Sequence, residues 1–207
     1  MADVLHEDEV LSSVEAALER LASGDRERHG EDYALMLEAT ARPVAWADAA
    51  WARLLPLLSH ADNRVRSIAG QTLCRLAPGA DKVAVSHDLH RLVAATKDER
   101  FVTARHILAS LWQVGLADRA VRRDLLDALM QRAGATAAEK NGALVRCDIS
   151  ICLRRLFDET GDEAVRNAAL SLIEREPDDK NAQKMRRQWR WILDSGASQG
   201  MRFHPAR

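Results

Sequence analysis

The chain has 207 residues, enough for one or two domains with a sizeable core. Only 4% of it is aromatic, and Ala and Leu fill most of the 47% apolar share, a choice of small and unbranched side chains that favours close-packed helices over sheet. The formal net charge is −1, no apolar run approaches the roughly 18 residues of a membrane span, and the acidic start does not read as a signal peptide, so the expectation is a cytoplasmic, all-helical protein with no membrane contact.

The charge is unevenly spread. Residues 1–40 hold 11 acids against 3 bases, so the remainder carries a net +7. A basic body behind an acidic front end favours an anionic partner, or lets the first helix pack electrostatically on the rest.

Apolar residues at three- and four-residue steps predict a helix over 8–23 (Val10, Leu11, Val14, Ala17, Leu18, Leu21), ended by Gly24. A polar loop over 25–30 leads to a helix at 31–40, with Tyr33, Met36, Leu37 and Thr40 on one side, which Arg42-Pro43 breaks. The next helix, 46–59, presents Trp51, Leu54, Leu55 and Leu58, and Pro56 inside it removes a backbone donor and bends it. Asp62-Asn63 supply turn and N-cap chemistry for a helix at 63–76, which places Val65, Ile68, Ala69, Thr72, Leu73 and Leu76 on one side before Pro78-Gly79 stops it.

A helix at 84–96 (Leu89, Leu92, Val93) and a turn at Lys97-Asp98-Glu99 precede a helix at 101–114. Its core positions are Val102, Ile107 or His106, Leu108, Leu111 and Trp112. Further helices follow at 117–132 (Val121, Leu125, Leu126, Leu129, Met130) and 138–158 (Leu144, Val145, Ile149, Cys152, Leu153, Leu156). The last two are at 162–175 (Val165, Ala168, Ala169, Leu172, Ile173) and 178–194. Residues 1–196 thus read as one helical domain, with 1–42 as N-terminal capping helices and 197–207 as a flexible tail.

The segment from Leu54 to Leu76, two amphipathic helices joined by a tight polar turn, resembles one unit of a HEAT-type repeat of the armadillo-type class. Val65-Arg66 recurs as Val102 after 37 residues and as Val145-Arg146 after a further 43, near the 40 or so of this class. The resemblance is good over 50–114, extends to 158 and thins at both ends; Asp162 to Arg166 looks like the start of a second repeat helix, yet Val165 comes only 20 residues after Val145. What the resemblance implies is a right-handed α-α superhelix, a HEAT-like solenoid of about ten helices, acting as a non-catalytic scaffold. Its groove, formed by the helices at 63–76, 100–114 and 138–158, would take a protein partner.

Two cationic sets stand out. Arg64, Arg66, Arg105, Arg146, Arg154 and Arg155 fall on the second helices of successive repeats, where they would line one groove. In HEAT-like repeats the arginine after the turn instead pairs with an aspartate of a neighbouring turn, here Asp62 or Asp98. On the final helix Lys180, Lys184, Arg187 and Trp191 fall one turn apart, with Arg186 and Arg190 beside them and Met185, Trp189, Ile192 and Leu193 on the core side. A basic strip with an aromatic suits a phosphate backbone, so nucleic-acid binding is the alternative to a protein partner.

Catalysis finds less support. HEAT-like alkylpurine DNA glycosylases need a carboxylate beside groove-facing aromatics, and only Trp191 with Asp194, three residues on, comes near. HEAT-like di-iron hydroxylases carry repeated His-Glu pairs, whereas this chain has one, His6-Glu7, outside the repeats. His87 and His90 share a helix face and lack a second pair of metal ligands; His29, His60, His106 and His204 are isolated. No Gly-x-Ser-x-Gly elbow or phosphate-cradling Gly-rich loop is present. Cys74, Cys147 and Cys152 have no Cys-x-x-Cys spacing and read as buried thiols of a reducing compartment. No catalytic residue, metal or small-molecule cofactor is expected.

Overall fold

The structure is a computed structural model that describes residues 2–190 and 192, with side chains from residue 9 onward. All regular structure among the described residues is helical: α1 (Ala2–Ser23), α2 (His29–Ala39), α3 (Ala47–Leu54), α4 (Asn63–Leu76), α5 (Lys82–Ala95), α6 (Phe101–Ser110), α7 (Arg119–Gly134), α8 (Gly142–Thr160), α9 (Glu163–Glu174) and α10 (Asp179–Gln188). None of these helices is long and apolar enough to cross a membrane. The chain divides into two compact units, Met1–Arg132 and Ala133–Arg207.

Helix ends follow local chemistry. Asp62, Asp81, Asp162 and Asp178 each accept a backbone N–H from the first turn of α4, α5, α9 and α10 respectively. Each such cap contributes about 1 kcal/mol. Where a bend within one helix over 46–59 is expected at Pro56, α3 instead ends at Leu54, and the chain tightens into a 3-10 segment, Leu55–Ser59, that keeps Leu55, Leu57 and Leu58 buried. Gly161, at φ 60°, supplies the left-handed residue that closes α8.

Within the first unit α1 packs on α2 and α3, α2 on α4, α3 on α4, α4 on α6, and α5 on α6. The core holds Val14, Leu21, Met36, Leu54, Val65, Leu73, Ile107 and Leu111, all fully buried or nearly so. Burying one such side chain completely stabilises by about 1.5–3 kcal/mol. The closest approach is at Gly70 of α4, where an added Cβ would stand 2.6 Å from Ile107 Cγ1 of α6. Only a glycine lets the two helices come so near. In the second unit α8 packs on α9 and α10, and α9 on α10, around Val145, Ile149, Leu153, Val165, Leu172, Met185 and Trp189.

Polar ties join helices two apart in the chain. In the first unit Trp51 Nε1 donates to Asp88 Oδ2 at 2.9 Å across 37 residues. Arg75, in the last turn of α4, donates through Nε to Thr40 Oγ1 at 2.8 Å and through Nη2 to Leu37 O at 2.9 Å. Arg132, in the last turn of α7, repeats this on Thr96, with Nε on Oγ1 at 3.0 Å and Nη2 on O at 3.2 Å. Thr40 and Thr96 are the C-cap residues of α2 and α5. Each arginine therefore satisfies the end of a helix, where backbone acceptors lack partners. In the second unit Trp189 Nε1 donates to Ser150 Oγ at 3.2 Å across 39 residues.

Two expected core positions are corrected. Val102 is 63% exposed and Leu144 40% exposed. The stripe of α6 runs through Ala104, Ile107, Leu108 and Leu111, and Val102 lies roughly 200° around the helix from Ala104. Pairing Val102 with Val65 places the register one residue early: Thr103, the third residue of α6 as Val65 is of α4, is the buried one. Of the pair Ile107 and His106, Ile107 is the core residue and His106 is exposed.

Candidate functional site

Each arginine of the expected cationic groove has a specific setting. Arg66 is 9% exposed. Its Nε and Nη2 grip Asp98 at 2.6 and 2.9 Å, and Nη1 reaches the carbonyls of His60 and Ala61 at 2.8 and 3.0 Å. The bond to Asp98 raises the Arg66 guanidinium above its usual value against the opposing effect of desolvation. Burial would push the Asp98 carboxyl up, but the bonds from Arg66 and the Arg100 N–H hold it below the usual carboxylate range.

Arg146 repeats the arrangement in the second unit, with Nε and Nη2 on Glu176 at 2.6 and 2.8 Å and Nη1 on Thr136 Oγ1 at 2.7 Å. Arg154 donates to Asp158 Oδ1 at 2.9 Å and Gln188 O at 2.7 Å and lies over the Trp189 ring. Arg105 is exposed with its guanidinium over the Phe101 ring, and Arg155 is exposed on α8. Lys180, Lys184 and Arg187 are exposed along α10, while Met185 and Trp189 are buried, the division the sequence predicts. Trp191, Asp194, His204 and residues 197–207 lie outside the described residues, as do the side chains of His6 and Glu7.

The structure gathers a different set. In the first unit a hollow of about 220 Å³ opens where α2, α4 and α6 meet, lined by His29, Tyr33, Arg64, Ser67, Gln71 and His106 among others. A chain of hydrogen bonds crosses it from helix to helix. Tyr33 Oη donates to Gln71 Oε1 at 2.8 Å. Gln71 Nε2 donates to Ser67 O at 3.2 Å and Ser67 Oγ at 3.1 Å. Ser67 Oγ in turn meets His106 Nδ1 at 3.2 Å. His29, only 3% exposed, has no hydrogen-bond partner on either ring nitrogen.

A buried polar group without a partner costs about 1–3 kcal/mol, so native structures leave few, and each one asks for a reason. A second, larger hollow of about 690 Å³ lies between Val10, Glu38, Arg42, Val44 and Trp46. No buried, unpartnered polar atom faces it among the described residues.

The sequence reading leaves His29 and His106 isolated and does not single out Ser67 or Gln71. The signal that joins them is a common sequence spacing. Tyr33 to Gln71 spans 38 residues and Ser67 to His106 spans 39, against the 37 between Val65 and Val102. Polar residues at that spacing on α2, α4 and α6 face one another.

His87 and His90 lie edge to face on α5 with ring centroids 6.1 Å apart. The Nδ1 atoms are engaged by Asp88 Oδ1 and the His87 carbonyl. Among the described residues no group of three His, Cys, Asp or Glu side chains could hold a metal ion. All three cysteines are buried. Burial pushes the Cys147 thiol up, offset in part by Lys184.

No protein-family model, curated protein or solved structure matches the chain.

Proposed function

We propose that the protein is a HEAT-like helical-repeat scaffold, a right-handed α-α superhelix, that works in the cytoplasm by binding a protein partner on the face built by α2, α4 and α6. The observation that carries this reading is the hollow at the meeting of those helices, spanned by polar side chains at one-repeat steps and holding a buried histidine with unused ring nitrogens. Packing of α2 on α4 and α4 on α6 supports the repeat architecture, as do ties such as Trp51 to Asp88 and Arg66 to Asp98. Three buried thiols, none in a disulfide among the described residues, support a reducing compartment. On α6, one turn before His106, Val102 offers an exposed apolar side chain beside the cation of Arg105. An apolar contact next to an arginine is a combination protein interfaces use.

The test is site-specific photocrosslinking in cells of the source organism, with the photoreactive residue at Val102 or Arg105 and controls at Glu159 and Glu174. The reading expects one discrete protein adduct from the α6 positions and none from the controls. Equal yields at all four positions, or adducts that nuclease removes, would overturn it.

A second reading rests on α10. The exposed Lys180, Lys184 and Arg187 form a basic strip at helical spacing, which supports nucleic-acid binding through phosphate contacts. That reading expects a fluorescent DNA duplex or single strand to bind at low ionic strength and to be released steeply by salt. No binding at low ionic strength removes it.

A further inference from the structure

The hollow between α2, α4 and α6 is about 220 Å³, below the roughly 300–1,000 Å³ of pockets that enclose a cofactor or drug-sized ligand. It has room for the end of one side chain. The charges around it favour an anion. Three acids on the surrounding segments already have a cation each: Arg20 Nε reaches Asp32 at 3.0 Å, Arg28 Nε reaches Glu31 at 2.6 Å, and Arg26 is bonded to Asp62. Arg64, exposed at the hollow, makes no ion pair among the described residues.

Two further donors point the same way. Helix α2 starts at His29 with no side-chain cap, so Gly30, which also lines the hollow, brings the positive end of the helix to it. His29 has both ring nitrogens free, and an imidazole always offers at least one N–H. Tyr33, Gln71, Ser67 and His106 bond one another and leave these two side chains to serve a ligand.

We infer that this hollow is a carboxylate subsite: it takes the aspartate or glutamate side chain of a protein partner, with Arg64 pairing the charge and His29 donating a hydrogen bond to it. The inference rests on the partner-binding reading and names the chemistry of the contact. It predicts that the partner's bound segment contains an essential acidic residue.

The test uses the full chain, with nitrogen-15 NMR of the histidine rings and arginine Nε groups, and capped glutamate (N-acetyl-glutamate N-methylamide) as probe. Capped glutamine and inorganic phosphate are the comparison arms. The expected result is a saturable shift of His29 and Arg64 signals with capped glutamate, at least tenfold weaker with capped glutamine and with phosphate. The Arg64→Gln variant, changed at an exposed position that leaves the fold intact, should lose at least tenfold in affinity. His29→Phe, checked for folding by its amide spectrum, should lose the shift at Arg64. Absence of a saturable shift up to about 100 mM probe, equal binding of the glutamine analogue, or tighter binding of phosphate would each overturn the inference. If capped glutamate binds but the α6 positions give no protein adduct, the subsite stands and the partner reading fails; adducts whose yield ignores Arg64→Gln give the reverse.

Discussion

Arg66 and Asp98, 32 residues apart, meet through two parallel hydrogen bonds that lock the start of α4 to the turn before α6. Arg146 and Glu176 do the same across 30 residues in the second unit. In each case the third guanidinium arm holds the segment before its own helix: the carbonyls of His60 and Ala61 in one, the Thr136 hydroxyl in the other. The arginine thus ties the turn before its own helix to the second turn further along the chain, two helices on.

Breaking that tie should be expensive. Asp98→Asn removes the charge while Arg66 stays buried, and the loss should be about 3 kcal/mol. The pair of half-buried Arg166 and exposed Glu163 on α9 is the control, since Arg166→Gln should cost no more than about 0.5 kcal/mol. Urea unfolding of both variants checks this; equal midpoints would refute the structural role of Arg66.

Acid should weaken the protein in a predictable window. The carboxyls of Asp62, Asp88 and Asp98 are held below their usual value in the folded chain: burial acts against this, and bonds from Arg64 N–H and Arg26, from Trp51 and His87, and from Arg66 outweigh it in turn. A depressed folded pKa gives stability that is present above the unfolded value of about 3.9 and is lost as pH falls through the folded value below it. The urea midpoint should therefore fall as pH drops below about 4, and Asp98→Asn should show a shallower fall over the same range. A midpoint that rises on acidification would contradict the assignment.

At Gly70 the prediction is steric. An added methyl would meet Ile107 Cγ1 at 2.6 Å and Cδ1 at 2.8 Å, so Gly70→Ala should destabilise by about 1–3 kcal/mol despite the better helix propensity of alanine. Combining it with Ile107→Ala should recover at least about 0.5 kcal/mol relative to the sum of the single changes. Strict additivity in a double-mutant cycle would show that α4 and α6 do not approach as described.

The thiols give a test by chemical reactivity. Cys74, Cys147 and Cys152 are buried, and burial raises the Cys147 pKa, lowering its thiolate fraction. Native protein should react with Ellman's reagent at least tenfold more slowly than urea-unfolded protein, which should release three equivalents. Rapid modification of the native chain would contradict the placement of these residues.

Much of the fold is legible in the sequence because apolar spacing and capping chemistry are local. The stripes of α3, α4 and α9, a disturbance of the helix at Pro56 and the cap at Asp62 can all be read from a few neighbouring residues. Val102 misleads because a two-residue motif sets the register of α6 ambiguously, and only packing against α4 shows that Thr103 faces inward. Arg66 illustrates the limit for sites: its charge marks it as a binding candidate and its turn position marks it as structural, and only the placement of Asp98 shows how it is used. The hollow is harder still, since His29, Gln71 and His106 come from three helices and no one of them is unusual in its own segment.

Hydrogen–deuterium exchange on the protein with and without its crosslinked partner is the decisive test of partner binding at α2, α4 and α6. Protection on binding should be confined to residues 29–33, 64–71 and 101–109, with α5 and α10 unchanged. Protection of α5 or α10 alone, with those three segments unaffected, would contradict it.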